Sequence, residues 1–168
     1  MGFDISGVSL TSSAGTLSMD AASNWMKVNP TGILTRPQTP YMRGQFTGLS
    51  NPYNNSGAAL RVTADVNIGS CWNNSTGLFT APVAGYYLMT SGAIASASSG
   101  YFEMRKNNAA QVFTHWNHAS SWHFVSLHGI VLAAVNDYFS WHITSPNPAT
   151  AGFYGGGNHC MFSITLMA

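Results

Sequence analysis

The sequence predicts an all-β protein, built as an antiparallel sandwich, jelly roll or barrel. Three observations predict it. Apolar residues recur with period two in several separate runs. Clusters of Gly, Pro and Asn punctuate those runs. No stretch of a dozen residues carries a helical period. A chain of 168 residues is long enough for one domain with a real core and a small appendage.

Residues 1–40 are Ser/Thr/Ala-rich and weakly patterned, and they end in TRPQTP, where Pro37 and Pro40 stiffen an extended link. They predict a small N-terminal segment of short strands and loops. Residues 41–168 carry nearly all the aromatics and predict one compact β domain. Its first clear strand is LRVTADVNI, in which Leu60, Val62, Ala64, Val66 and Ile68 face one way and Arg61, Thr63, Asp65 and Asn67 the other. In STGLFTAPVAGYYLM, Gly77 permits a turn before Phe79 enters a strand. Pro82 and Gly85 then reverse the chain, and Tyr86-Tyr87 begin the strand YYLMTSGAIA. YFEMRKN follows and ends in the turn pair Asn107-Asn108; then come QVFTHW, WHFVSLHGIVL and YFSWHIT. The chain closes with HCMFSITLMA, where Cys160, Phe162, Ile164 and Leu166 alternate with Met161, Ser163, Thr165 and Met167. Turn signals are read at Ser99-Gly100, Asn136-Asp137, Ser145-Pro146-Asn147-Pro148 and Gly155-Gly156-Gly157.

Composition narrows the function. Only 7% of residues are charged, against about 25% in a typical soluble domain. Solubility must come from Ser, Thr, Asn and Gly. Low charge with many aromatics also fits a chain that hides much of its surface in an assembly, because interface cores lose charge and gain aromatics. A net charge of +1 gives no electrostatic footprint for nucleic acid. No apolar run approaches the ~20 residues of a bilayer-spanning helix. The opening MGFDISGV lacks a basic region followed by an apolar stretch, so a signal peptide is not expected. Gly2 and Ser6 fit the loose myristoylation pattern, which is short enough to match by chance. Cys71 and Cys160 show no C-x-x-C spacing and are expected to be reduced, small, buried hydrophobes. One disulfide is the alternative, if their strands are neighbours.

Catalytic constellations are missing from the sequence, so no enzyme is expected. Glu103 is the only glutamate and has no second carboxylate near it in sequence for a glycosidase pair. No serine sits in Gly-x-Ser-x-Gly, and no phosphate loop is present.

The unit around residues 67–87 resembles the most recognisable segment of the complement C1q globular head, which shares its jelly roll with the tumour necrosis factors. The residues that carry the likeness are Asn67, Gly77, Phe79, Pro82, Gly85 and Tyr87. YFEMRKNN is similar to the family's strand ending in Lys-Asn-Gly, with Asn108 in place of Gly. VSLHGIVLAAVNDYFSWHI is similar to its Gly-Asp segment, with Asn136 in place of Gly beside Asp137; Asn can take the left-handed turn. The closing FYGGGNHCMFSITLMA also resembles the family's last strand. The resemblance covers roughly residues 43–168. It implies a sandwich of about ten antiparallel strands in two packed sheets, assembled as a homotrimer around an apolar axis, which binds and does not catalyse. Tyr87, Phe102, Met104, Phe139, Trp141 and Phe162 are candidates for the trimer interface or the core. Family heads often carry calcium, but the domain offers only Asp65, Asp137 and Glu103, too few for an oxygen cage.

HWNHASSWH places His115, His118 and His123 close together, with Trp116 and Trp122 between them. A Trp face packs on a sugar ring, so these five residues are the candidate ligand-binding surface. Imidazoles also suit zinc, and on a trimer one His near the axis becomes three. The plainer alternative is an exposed loop and strand end whose aromatics are buried or paired. His128, His142 and His159 sit in strand-like patterns and read as core or interface residues. No cofactor is expected and no metal site is assigned.

The stretch MKVNPTGILTRPQTPYMRGQF resembles leaders that precede such heads in bacteriophage virion proteins, through Met26, Val28, Gly32, Ile33, Pro37, Pro40 and Phe46. The expectation is a non-enzymatic virion structural protein, made in the host cytoplasm and carried on the particle surface. It would be a homotrimeric capsid decoration or cement protein, or a short fibre head, docked on capsid or tail proteins through residues 1–40. The alternative is a receptor- or carbohydrate-binding tail-fibre module that uses the Trp/His surface on a host glycan or receptor. Neither nucleic acid nor membrane insertion is expected.

Overall fold

The structure is a computed structural model. It describes the backbone of residues 11–13, 16–19, 26–28, 34–35, 39–45, 59–95, 99–117, 123–144 and 159–167, and the side chains of those from 39 onward except 99, 113, 115–117 and 144. The chain divides into two units, Met1–Thr39 and Pro40–Ala168. In the first, β1 (Thr11–Ser13), β2 (Thr16–Met19), β3 (Met26–Val28) and β4 (Leu34–Thr35) pair in sequence order as an antiparallel meander.

The second unit is all β, with no helix among the described residues. Its strands are β5 (Tyr41–Gln45), β6 (Thr63–Ile68), β7 (Trp72–Asn73), β8 (Leu78–Thr80), β9 (Gly85–Ala95), β10 (Ser99–Lys106), β11 (Ala109–Asn117), β12 (His123–Ala133), β13 (Tyr138–Thr144) and β14 (Cys160–Leu166). They form two antiparallel five-stranded sheets, in the orders β11-β10-β13-β8-β7 and β12-β9-β14-β5-β6. The chain changes sheet between β6 and β7, β8 and β9, β9 and β10, β11 and β12, β12 and β13, and β13 and β14. That repeated crossing is the jelly-roll sandwich expected from the resemblance.

Period two places the core. β9 buries Tyr87, Met89, Ala93 and Ala95; β12 buries Val125, Leu127, Val131 and Ala133; β14 buries Cys160, Phe162 and Ile164. From the other sheet come Phe102, Met104, Phe139, Trp141 and Ile143. Rings dominate the contact between sheets. Trp141 lies 5.1 Å from Phe162 and 5.8 Å from Trp72, and Phe139 lies 5.5 Å from Tyr87 and 6.2 Å from Phe79. Cys71 and Cys160 are buried free thiols, and burial pushes the Cys71 thiol up from its ordinary value.

Two sequence expectations need correction. Ser99-Gly100 is not a turn: both residues begin β10, paired with Asn117 and Trp116 of β11. The face of LRVTADVNI is not continuous either. Leu60 and Val62 are buried and Ala64 packs on the core. A bulge then shifts the pairing from Gly44↔Ala64 to Arg43↔Val66 and Tyr41↔Ile68. The extra residue turns Val66 and Ile68 to the opposite face. β5 and β7 carried no sequence signal. β7 has two residues, and one of the two inward positions of β5 is Gly44. The Pro- and Gly-rich turns at 145–148 and 155–157 lie outside the described residues.

The turn chemistry follows the sequence. Asn107 and Asn108, at φ 50° and 65°, form the two-residue loop between β10 and β11, the left-handed pair that a twisted hairpin prefers. Asn136 sits at φ 69° before Asp137. Gly77 sits at φ 71°, and a Cβ there would stand 2.5 Å from the Leu60 carbonyl oxygen. Its N–H donates to the Asn73 carbonyl at 2.9 Å, closing the turn into β8. Gly77→Ala therefore meets both a left-handed backbone and a carbonyl. It should cost about 1–3 kcal/mol for the backbone strain alone, whereas exposed Thr76→Ala should stay within about 0.5 kcal/mol. Urea unfolding of the two variants checks this.

Candidate functional site

The outward face of the sheet β12-β9-β14-β5-β6 is the surface that stands out. Strand register fixes what it presents, because directly paired residues share a face. β12 contributes Phe124, Ser126, His128, Ile130 and Leu132, opposite Ile94, Gly92, Thr90, Leu88 and Tyr86 of β9. β14 continues the rows with Met161, Ser163 and Thr165, and Met167 donates its N–H to the Tyr86 carbonyl. Leu132, Ile130, Tyr86 and Met167 make an exposed apolar band at one end. Phe124 and Met161, 67% and 60% exposed, lie toward the other.

Between them runs a polar row: His128, Thr90, Ser163 and Arg43. Thr90 and Ser163 hydroxyls share a hydrogen bond of 2.7 Å. The Arg43 guanidinium donates to both carboxylate oxygens of Asp65, the shortest contact being 2.6 Å. That pair holds the Asp65 carboxyl below its ordinary range. A groove of about 300 Å³ follows β9, with Thr90, Ser91 and Gly92 in its floor and Phe124, His128, His159 and Met161 among its walls. Gly92 lets the exposed Phe124 ring lie over the strand at that point: a Cβ there would stand 2.6 Å from the tip of the ring and displace it.

The sequence-selected residues fall into three groups. Tyr87, Phe102, Met104, Phe139, Trp141 and Phe162 all have 0% exposure within a single protomer, so they belong to the sandwich core. The interface candidates are instead the residues that alternate with them on β9, β12 and β14. Of the Trp/His cluster, His115 and Trp116 lie on the β11 backbone and His123 begins β12, partly buried. The side chains of His115 and Trp116, and the whole of His118 and Trp122, lie outside the described residues. His128 and His159 are exposed, while His142 is buried and its Nε2 lies 2.8 Å from the Ser140 hydroxyl. Ser140 itself has 0% exposure, which places this pair out of a substrate's reach.

The motif residues prove to be joints of the fold. The Asn67 side-chain oxygen accepts from the Trp72 N–H at 3.0 Å, and its amide donates to the Trp72 carbonyl at 3.0 Å. Tyr87 Oη donates to the Val83 carbonyl across the Pro82 turn at 2.8 Å. Asp137 accepts from the Asn107 amide at 2.7 Å and from the Ala134 N–H at 2.8 Å, with Lys106 Nζ at 3.6 Å. The Asn107 side chain in turn accepts from the Tyr138 N–H at 3.0 Å. These bonds, led by that from Asn107, hold the Asp137 carboxyl below its ordinary range. Asp65, Glu103 and Asp137 sit on separate ion pairs, with Arg43, Arg105 and Lys106. Among the described residues no three His, Cys, Asp or Glu side chains gather as a metal site.

A profile of the C1q domain matches residues 51–163. Among solved structures, the chain is similar to the globular domain of zebrafish complement 1qA protein, at 14% identity and a TM-score of 0.59, covering 77% of this chain and 98% of that one. This second likeness is one of fold. No curated protein matches the chain by sequence.

The Asp137 joint has a pH signature. A carboxyl held below its ordinary range contributes stability above that range and loses it as the pH falls through the folded value. Asp137→Asn should lower the urea midpoint at neutral pH, and its gap to wild type should close as the pH drops below about 4. Urea titrations across this range check the sign.

Proposed function

The chain belongs to the C1q domain family, and from that premise we propose that it is a non-enzymatic head that assembles as a homotrimer and serves as a structural protein of a bacteriophage virion. C1q domains typically form trimers and are generally not enzymes. The observation that supports the trimer is clustering: of the eight large apolar side chains exposed among the described residues, six share one sheet face, while Tyr101 lies on the other sheet and Val135 in a loop. Tyr86, Phe124, Ile130, Leu132, Met161 and Met167 are large, apolar and exposed, and all lie on the outward face of one sheet. A contiguous apolar face of this kind marks an interaction surface. Burying an exposed Leu or Ile side chain contributes about 1.5–3 kcal/mol, so a few such residues per protomer supply a firm contact.

The virion role rests on the N-terminal unit. It has a four-stranded sheet of its own, and residues 26–46 resemble phage leaders. In this reading residues 1–40 dock on capsid or tail proteins, and the head decorates or cements the particle surface or forms a short fibre tip.

Two outcomes are expected. Ile130→Asp should leave the protomer folded, because the side chain is already exposed, and should reduce the mass in light scattering from three chains to one. A trimer that survives Ile130→Asp together with Leu132→Asp would remove this face from the assembly. Deleting residues 1–40 should leave a trimer of the same circular dichroism that no longer co-purifies with particles; continued incorporation would overturn the docking role.

A further inference from the structure

The apolar face just described is interrupted at His128. On β12 the outward residues run Phe124, Ser126, His128, Ile130, Leu132, and all five are exposed in the protomer. Phe124 and Ile130 stand six residues apart, about 20 Å along a strand. A flat neighbour that covers both ends of this row must also cover the imidazole between them. We infer that His128 is an acid trigger: the assembled head holds it neutral, and its protonation drives the trimer apart. The inference rests on the trimer reading above.

Among the described residues of its own protomer, His128 faces no counter-charge. Across the sheet it faces Thr90, then Ser163, and these two hydroxyls bond to each other. The charges in that row are Arg43 and Asp65, already closed on each other in a two-toothed pair. From the groove come the titratable side chains of His159 and Cys160, one of which gains positive charge in acid. The phenols of Tyr41 and Tyr86 lie in other rows of the face. On the β11 side the described side chains Gln111, Val112 and Thr114 carry no titratable group.

A neighbouring copy is no better supplied. The head contains only three carboxylates, Asp65, Glu103 and Asp137, and each is engaged inside its own protomer by Arg43, Arg105 and Lys106 respectively. An imidazolium enclosed between two heads therefore meets no unpaired head carboxylate, and burying an unpaired charge is costly. Covering a group that lacks a counter-charge disfavours its charged form. The sign follows. Assembly that requires neutral imidazole is at full strength where His128 is neutral and is lost as acid protonates it. Three copies make the loss steep, since three protons are taken up together.

The test is light scattering of the full chain from about pH 8 to about pH 5, a window above the carboxylate range, with circular dichroism to follow the protomer. Wild type should fall from three chains to one with its β signal intact, while His128→Asn and His128→Gln stay trimeric across the window. A wild-type trimer that persists at about pH 5, or variants that dissociate alongside it, would overturn the acid trigger and leave the trimer standing. If both variants fail to assemble even at about pH 8 while wild type does, His128 is a fixed polar contact and the trigger is also overturned. A wild type that is monomeric at every pH removes the trimer reading itself. A His159→Asn control should dissociate as wild type does.

Discussion

Between the two sheets of the head, Trp72, Trp141, Phe162 and Phe102 form one run of ring contacts, and Phe79, Tyr87 and Phe139 form a second cluster. Each ring comes from a position fixed by period two on its strand, and the rings of each group come from both sheets. Edge-to-face and tilted pairs of this kind add to their area burial. The rest of the head follows from this seam. It consumes the inward faces of β9, β13 and β14, so every apolar residue at the alternate positions is left to the outside. On β13 those alternate positions include half-buried Tyr138 and the buried pair Ser140 and His142, bonded to each other. On β9, β12 and β14 they include Tyr86, Leu88, Ile94, Phe124, Ile130, Leu132 and Met161, the face on which the proposed assembly rests.

Scarcity of charge shapes the electrostatics. With so few acids and bases, the head uses each ion pair as a local brace. Arg43–Asp65 ties β5 to β6 beside the bulge, Arg105–Glu103 lies along β10, and Lys106–Asp137 joins the β10–β11 hairpin to the loop before β13. The exposed pair, Arg43–Asp65, contributes little by itself. The pairs have a wider consequence: each side-chain carboxylate within residues 40–168 already has a cation of its own protomer beside it. A surface richer in carboxylates would buffer a buried imidazole; this one does not.

The fold was largely legible in the sequence, and the reason is local. Alternation announced β9, β12 and β14, and Asn107-Asn108, Asn136 and Gly77 announced turns whose left-handed backbone the structure shows. What failed to show had no local cause. The slip that turns Val66 and Ile68 outward comes from a bulge against Arg43 and Gly44, some twenty residues away in sequence, which alternation cannot encode. Ser99-Gly100 reads as a turn by composition but is held as strand by pairing with β11. The site was less legible. Burial inside a sandwich and burial between protomers draw on the same residue types, so Phe102 and Trp141 fitted core and interface alike until their neighbours were known. Conversely, Ile130, Leu132 and Met161 looked like the ordinary second side of a strand.

The polar row across the assembly face argues for specificity over strength. A wholly apolar face would tolerate sliding between copies, because apolar contact is non-directional. Thr90–Ser163 and Arg43–Asp65 satisfy one another within the protomer, so they can be covered at a modest cost and still mark one register. His128 is the member of the row at the edge of the sheet, and β12 has no strand beyond it in that sheet. It must therefore look to a neighbouring copy, or to water, for a partner. The same position that lets a face distinguish a correct neighbour from a shifted one also makes its fit depend on protonation. In the proposed trimer, registry and acid sensitivity are two consequences of placing one imidazole in the polar row between two apolar ends.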